Sequence, residues 1–144
     1  MIAKKNVDRE MIAAKFAELN RNLKELQKLR ANKFVELSGS LSKQWAVLHG
    51  LQVSIQIIID VGNHILAAIG EHAIEEYVDV IDKLGEKRII PKKFAGRIRG
   101  MAGLRNILVH EYDVVDLKKV YEILQHNLND FYQFTGYIQR YLRK

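Results

Sequence analysis

Apolar residues recur every three or four positions along almost the whole chain, the spacing that lines one face of a helix rather than the alternation of a strand. In the first run, Ile12, Phe16, Leu19, Leu23 and Leu26 alternate steps of four and three and predict a helix over about Asp8 to Ala31 with one packing seam. Two or three heptads of that pattern are too few for a coiled coil. Ser38-Gly39-Ser40-Leu41-Ser42 reads as a turn that supplies the N-cap of a second helix, about Leu41 to Ile69, which ends before Gly70.

That second helix is the most apolar part of the chain, and from Trp45 onward it has the length of a membrane span. Its polar residues, however, form a stripe: His49, Gln52, Gln56, Asp60 and Asn63 recur at spacings of three and four, with His64 beside them. A lipid-facing helix does not tolerate such a stripe unaccompanied, so no membrane span is expected. An ordinary solvent face carries several Lys and Glu, whereas this stripe has one formal charge. It is therefore either partly buried against another helix, a second subunit or a groove, or a mildly polar outer face.

A short helix is predicted over Tyr77 to Leu84, with Gly85 as its stop, and Pro91 fits the first turn of the next. There Phe94, Ile98, Met101, Leu104 and Leu108 form the buried face, with Arg105 at its border. Asp113 and Asp116 have the spacing of an N-cap and an acid at the third helical position, so the last helix starts here. Leu117, Val120, Leu124, Leu128, Phe131 and Phe134 carry its inward face to near Ile138. Together these elements predict an all-α fold, an up-and-down bundle of about four long helices plus a short one, formed by a single domain over residues 1–144.

Composition adds exclusions. The chain has no cysteine, which rules out disulfides and zinc–thiolate sites and fits a reducing compartment. The N-terminal residues lack a signal peptide's apolar core, so a cytoplasmic location is expected. The net charge of +6 is uneven. From Lys83 to Arg105 there are eight Lys or Arg against Glu86 alone, while from Phe34 to Asp82 Lys43 alone stands against seven acids. The basic run is either a solubilising surface or a polyanion-binding one, with Lys92, Lys93, Arg97 and Arg99 as the candidate RNA contacts. Tyr121, Tyr132, Tyr137 and Tyr141, near Arg140, Arg143 and Lys144, either stack on exposed bases or close the bundle or a dimer interface.

The basic run leads into Arg105-Asn106-Ile107-Leu108-Val109-His110-Glu111-Tyr112. Arginine carries a permanent planar charge that matches phosphate oxygens, and histidine both takes and gives protons near neutrality. RNA brings its own nucleophile in the 2′-hydroxyl, so this pair suffices for phosphodiester cleavage without a metal or other cofactor. On a continuous helix Arg105 and His110 are roughly 140° apart at about 100° per residue. Either the helix ends or bends near His110, or the site combines residues of two chains.

Other chemistries fare worse. Asp60 with His64, and Glu122 with His126, are four apart and hold at most one side of an ion, and the paired Glu-x-x-His pattern of di-iron bundles is missing. His110-Glu111 lacks the second histidine of a zincin helix. Asp60 and His64 are read instead as a local hydrogen bond or as support for the site. There is no Gly-x-Ser-x-Gly elbow, no phosphate-binding loop and no dinucleotide fingerprint.

The stretch Met101 to Tyr112 resembles the R-x4-H-x-Y signature of HepT-like toxins in the HEPN superfamily. Similarity extends to the N-terminal helix, to Ile59-Asp60-Val61-Gly62-Asn63-His64-Ile65-Leu66 and to the C-terminal helix. The resemblance implies an all-α bundle that dimerises into a composite site, metal-independent ribonuclease activity, and restraint by a cognate minimal nucleotidyltransferase antitoxin. It implies Arg105 and His110 as the catalytic pair, Asn106 as the polar residue that follows the arginine, and Tyr112 as the tyrosine the antitoxin modifies. Asp60, Asn63 and His64 are the supporting residues. The competing expectation is a non-catalytic helical module that binds a nucleotidyltransferase, and nucleotide, through the acidic segment from Glu71 to Asp82.

Overall fold

The computed structural model describes residues 6–71, 74–110 and 116–144, and the side chains of residues 109 and 110 lie outside that description. Eight helices are formed by the described residues: α1 (Arg9–Arg30), α2 (Phe34–Ser38), α3 (Leu41–Ala68), α4 (Tyr77–Glu86), α5 (Lys92–Ile98), α6 (Gly100–His110), α7 (Leu117–His126) and α8 (Leu128–Arg143). The fold is all-α, as the periodicity implies.

The seam on α1 is real: Ile12, Phe16, Leu19, Leu23 and Leu26 are all buried, chiefly against α3. At about 1.5–3 kcal/mol per fully buried aliphatic or aromatic side chain, this face alone outweighs the weak intrinsic helicity of a charged 22-residue segment. Asp8 caps α1 by accepting the Met11 N–H at 3.0 Å. Ser40 caps α3 from the predicted turn, accepting the Lys43 N–H at 3.3 Å. By length and composition α3 passes for a membrane span, yet it is the central helix, flanked by α1, α4 and α6, with twelve buried residues. Gly62 lets α4 approach closely, since a Cβ there would lie 2.8 Å from Leu84 Cδ1. Phe16 and Phe134 meet edge to face at 6.5 Å and tie α8 to α1.

Several boundaries differ from the sequence expectation. The five-residue α2 has no periodicity of its own to reveal it. Gly85 does not stop α4; it lies inside the helix, where a Cβ would come within 2.7 Å of the Ala95 Cβ of α5. The stop is a Schellman turn, with Arg88 N–H bonding Gly85 C=O at 3.1 Å and Ile89 N–H bonding Leu84 C=O at 3.0 Å. Its left-handed residue is Arg88 (φ 57°), in the position glycine usually takes. An L-residue in that conformation costs about 1–2 kcal/mol.

Pro91 is the N-cap of α5 rather than its first residue. The long helix expected after it is interrupted at Arg99, where Ala102 N–H closes an i→i+3 bond to Arg99 C=O. The last helix is likewise two, α7 and α8, joined at Asn127 (φ −117°, ψ 3°). Asp116 caps α7 itself, accepting the Lys118 N–H at 3.1 Å, while Asp113 lies outside the described residues. In both cases the apolar steps of three and four run unbroken through the joint, as in Phe94, Ile98, Ala102 and Leu124, Leu128, Phe131. Periodicity alone therefore does not register the break.

Candidate functional site

Residues Arg105 and His110 both lie on α6 (Gly100–His110). At about 100° per residue their positions on this helix are roughly 140° apart about the axis. The side chain of His110, with Glu111 and Tyr112, lies outside the described residues.

The half-buried Arg105 is held from two sides. Its Nε–H donates to Gln56 Oε1 at 2.7 Å, and its guanidinium carbon lies 4.7 Å from the centre of the Tyr77 ring at the start of α4. The Gln56 amide in turn donates to Asp60 Oδ1 at 2.7 Å, and Lys15 of α1 stands 3.8 Å from Asp60 Oδ2. Cation, amide, carboxylate and cation thus alternate across three helices. A glutamine between a guanidinium and a carboxylate has one satisfying orientation, oxygen toward the arginine and nitrogen toward the acid. Hydrogen bonds to charged groups are the stronger kind, about 1.5–3 kcal/mol each. The Gln56 contact uses only Nε, so it does not consume the two Nη groups, the fork that matches phosphate geometry.

The polar stripe on α3 therefore divides. Gln56 and Asp60 face α6 and α1 and belong to the arginine's support, while His49 and Asn63 are exposed. His64 Nε2 accepts the backbone N–H of Asp8 at 2.8 Å, so this histidine fixes the entry to α1 rather than bonding Asp60. Asn106, next to Arg105, is exposed. Sequence reasoning placed Gln56 in the stripe but did not single it out, although its four-residue spacing from Asp60 was a usable signal. Tyr77 carried none.

The four basic candidates separate as well. Arg99 donates from Nε and Nη2 to both oxygens of Asp82, at 3.1 and 3.0 Å. This fork holds the Asp82 carboxyl below the ordinary carboxylate range, so the pair's contribution is present above that range and fades as pH falls through it. Arg97 Nη2 lies 3.0 Å from Oδ1 of the buried Asp130, an ion pair off the hydrogen-bond line, while Asn127 Nδ2 donates to Oδ2 at 3.3 Å. Lys92 and Lys93 are exposed. Glu71 of the acidic segment also pairs within the chain, with Lys87 at 2.8 Å. Glu122 and His126 pair with each other at 3.4 Å, and among the described residues no three metal-ligating side chains gather.

Fold and site together define a class: a basic helical protein that presents a braced arginine one helical turn and a half before a histidine. The chain belongs to the ribonuclease HepT-like family, whose sequence profile matches residues 19–138. It is 28% identical over 130 residues to the mRNA nuclease HepT of Shewanella oneidensis, spanning 90% of this chain and 97% of that protein. Against the tRNA nuclease HepT of Aphanizomenon flos-aquae it is 27% identical over 137 residues, 95% and 93% of the two chains. The structure superposes on that of a tri-AMPylated Shewanella oneidensis HEPN toxin in complex with MNT antitoxin with a TM-score of 0.84 at 28% identity, covering 92% of this chain and 99% of that one.

Proposed function

We propose that this protein is a metal-independent endoribonuclease toxin, active as a homodimer in the cytoplasm and neutralised by a minimal nucleotidyltransferase antitoxin. The observation that carries this reading is the bracing of Arg105 by Gln56, Asp60 and Tyr77, which presents a fixed guanidinium on the helix that also carries His110. In the proposed reaction the RNA 2′-oxygen attacks phosphorus and the bond to the 5′-oxygen breaks, leaving a cyclic phosphate. His110 takes the proton from the 2′-hydroxyl or supplies one to the leaving oxygen. Arg105 neutralises the charge that accumulates on the phosphoryl oxygens, and Asn106 orients the phosphate or the histidine. Nucleotide attached to Tyr112, seven residues after Arg105 in sequence, adds bulk and negative charge that opposes the substrate phosphate.

Because α6 is unbroken between Arg105 and His110, the pair is read as meeting across a two-fold interface, arginine from one subunit and histidine from the other. Mixing two inactive variants tests this. After subunit exchange, Arg105→Ala with His110→Ala regains about a quarter of wild-type cleavage, since half the dimers are mixed and each holds one intact site. No recovery from dimers shown to have exchanged rejects the composite site.

Gln56 is the second test of the reading. Gln56→Leu removes the amide that orients Arg105 and lowers the cleavage rate by about 10²-fold, the effect of an ångström of misplacement. The variant melts several degrees lower, since two hydrogen bonds to charged groups are lost, so cleavage is measured well below that transition with dimer mass as the check on assembly; unchanged cleavage would show that the brace is only structural. The non-catalytic reading, docking through the acidic segment, is less favoured because Glu71 and Asp82 hold Lys87 and Arg99 of the same chain.

A further inference from the structure

Four cations that form no ion pair among the described residues gather away from Arg105. A cavity of about 530 Å³ opens where the end of α4, the start of α5 and the last turns of α8 meet, and Arg88, Lys92, Arg140 and Lys144 line it with Tyr137 and Tyr141. Among the described residues these four cations form no salt bridge, in contrast to Lys83, Lys87, Arg97 and Arg99. The one acid in the lining, Glu86, is paired with Lys83 at 3.3 Å. A second hollow of about 440 Å³ shares Pro91 and Tyr137 with the first and adds Lys93 and Gln133, so Tyr137 borders both.

The tyrosines divide in the same way. Tyr121 donates to Asn32 C=O at 3.0 Å, and Tyr132 accepts from Gln27 Nε2 at 3.1 Å, so both close the bundle. Tyr137 is instead backed by Phe94 at 4.9 Å and has the Arg140 guanidinium 5.7 Å from its ring centre, a rigid aromatic beside a cation. Burial pushes the Tyr141 phenol pKa up, which keeps it a neutral hydrogen-bonding group next to an anion. Arg88 is the most telling member. The left-handed turn it occupies is built for glycine, so the fold gains nothing from arginine there.

We propose that this groove is a second nucleic-acid site, which holds the backbone and one or two unstacked bases of a single strand away from the cleavage site. Alternating cations and tyrosine faces in a concave track fit a polynucleotide; an acidic peptide has no use for the aromatic faces, and a membrane surface does not enter a cavity. The length of α4 separates the groove from Tyr77 and Arg105, roughly 13 Å along the helix axis. The proposal rests on the ribonuclease reading for the claim that the strand held is substrate RNA. Phosphate and stacking contacts do not read the 2′-hydroxyl, so single-stranded DNA binds here too and is not cut.

The test uses fluorescein-labelled oligo-dT and oligo-rU of twenty nucleotides, with binding read by anisotropy in EDTA. Arg88→Gly combined with Arg140→Gln weakens both about tenfold and lowers the slope of log affinity against log salt by about 1.4, or 0.7 for each lost phosphate contact. Arg88→Gly alone melts no lower than wild type, which excludes unfolding as the cause. Unchanged affinity and slope overturn the proposal, as does equal displacement by poly-glutamate. In cleavage, the double variant has a raised KM for long RNA and wild-type kinetics on a trinucleotide. If wild type cuts neither substrate but the variant still loses oligonucleotide, the ribonuclease reading fails and the groove stands. If cleavage is intact and binding is unaltered, the groove fails and the ribonuclease reading stands.

Discussion

Replacing His110 with alanine is expected to lower RNA cleavage by about 10²–10⁴-fold, the range that a positioned general acid or base contributes. Arg105→Lys is expected to lose about 10²–10³-fold, as removal of one transition-state donor does elsewhere. The lysine result is the more informative because it keeps the charge. An ammonium offers no Nε–H to Gln56 Oε1, no planar face to Tyr77 and no fork for two phosphate oxygens. Single-turnover cleavage of end-labelled RNA measures both losses, with circular dichroism as the check on folding. Arg105→Lys within twofold of wild type would mean that charge alone suffices and that the brace from Asp60 through Gln56 has no part in the chemistry.

The second large effect is on stability, and it comes from a residue that sequence reasoning assigned to RNA. Arg97→Ala is expected to destabilise the fold by about 3 kcal/mol, the lower end for stranding a buried charge. Asp130 is 2% exposed, and without Arg97 its carboxylate keeps only Asn127. For a chain of this size the melting temperature then drops by roughly 10 °C. Urea denaturation measures the loss, and Asp130→Leu in the Arg97→Ala background restores most of it because the uncompensated charge is gone. Lys93→Ala, an exposed control, leaves the midpoint in place. An unchanged midpoint in Arg97→Ala would return this arginine to the RNA-binding set.

What was legible in the chain follows from which physical term decides each feature. Burial of one helix face decides α1 and α3, and steps such as Ile12, Phe16, Leu19 and Leu23 report it directly. Helix ends are decided by single turns. Ser40 was readable because its side chain makes the cap, whereas Gly85 misled because its small size serves contact with Ala95, and the left-handed residue proved to be an arginine. The joints at Arg99 and Asn127 leave the spacing of buried residues intact, so no periodicity records them.

The candidate site was legible at its motif and illegible in its surroundings. Arg105 and His110 lie five residues apart and declare themselves by chemistry. The partners of Arg105 come from positions 28 and 49 residues earlier, and only the packing of α6 on α3 and α4 brings Tyr77 and Gln56 to it. Charge density along the basic run leaves its ion pairing illegible for the same reason. It does not see that Arg97 and Arg99 lie against Asp130 and Asp82, distant in sequence. Arg88, Lys92 and Lys93 of that run form no salt bridge among the described residues, and the first two share a cavity with Arg140 and Lys144 from the far end of the chain.

The most direct test of the central claim is cleavage of RNA by the purified, unmodified protein in EDTA, with the chemistry of the new ends identified. Products ending in a 2′,3′-cyclic phosphate and a 5′-hydroxyl, formed by wild type and not by His110→Ala, are the predicted result. Activity that vanishes with chelator and returns with magnesium, or products bearing 5′-phosphates, would contradict it.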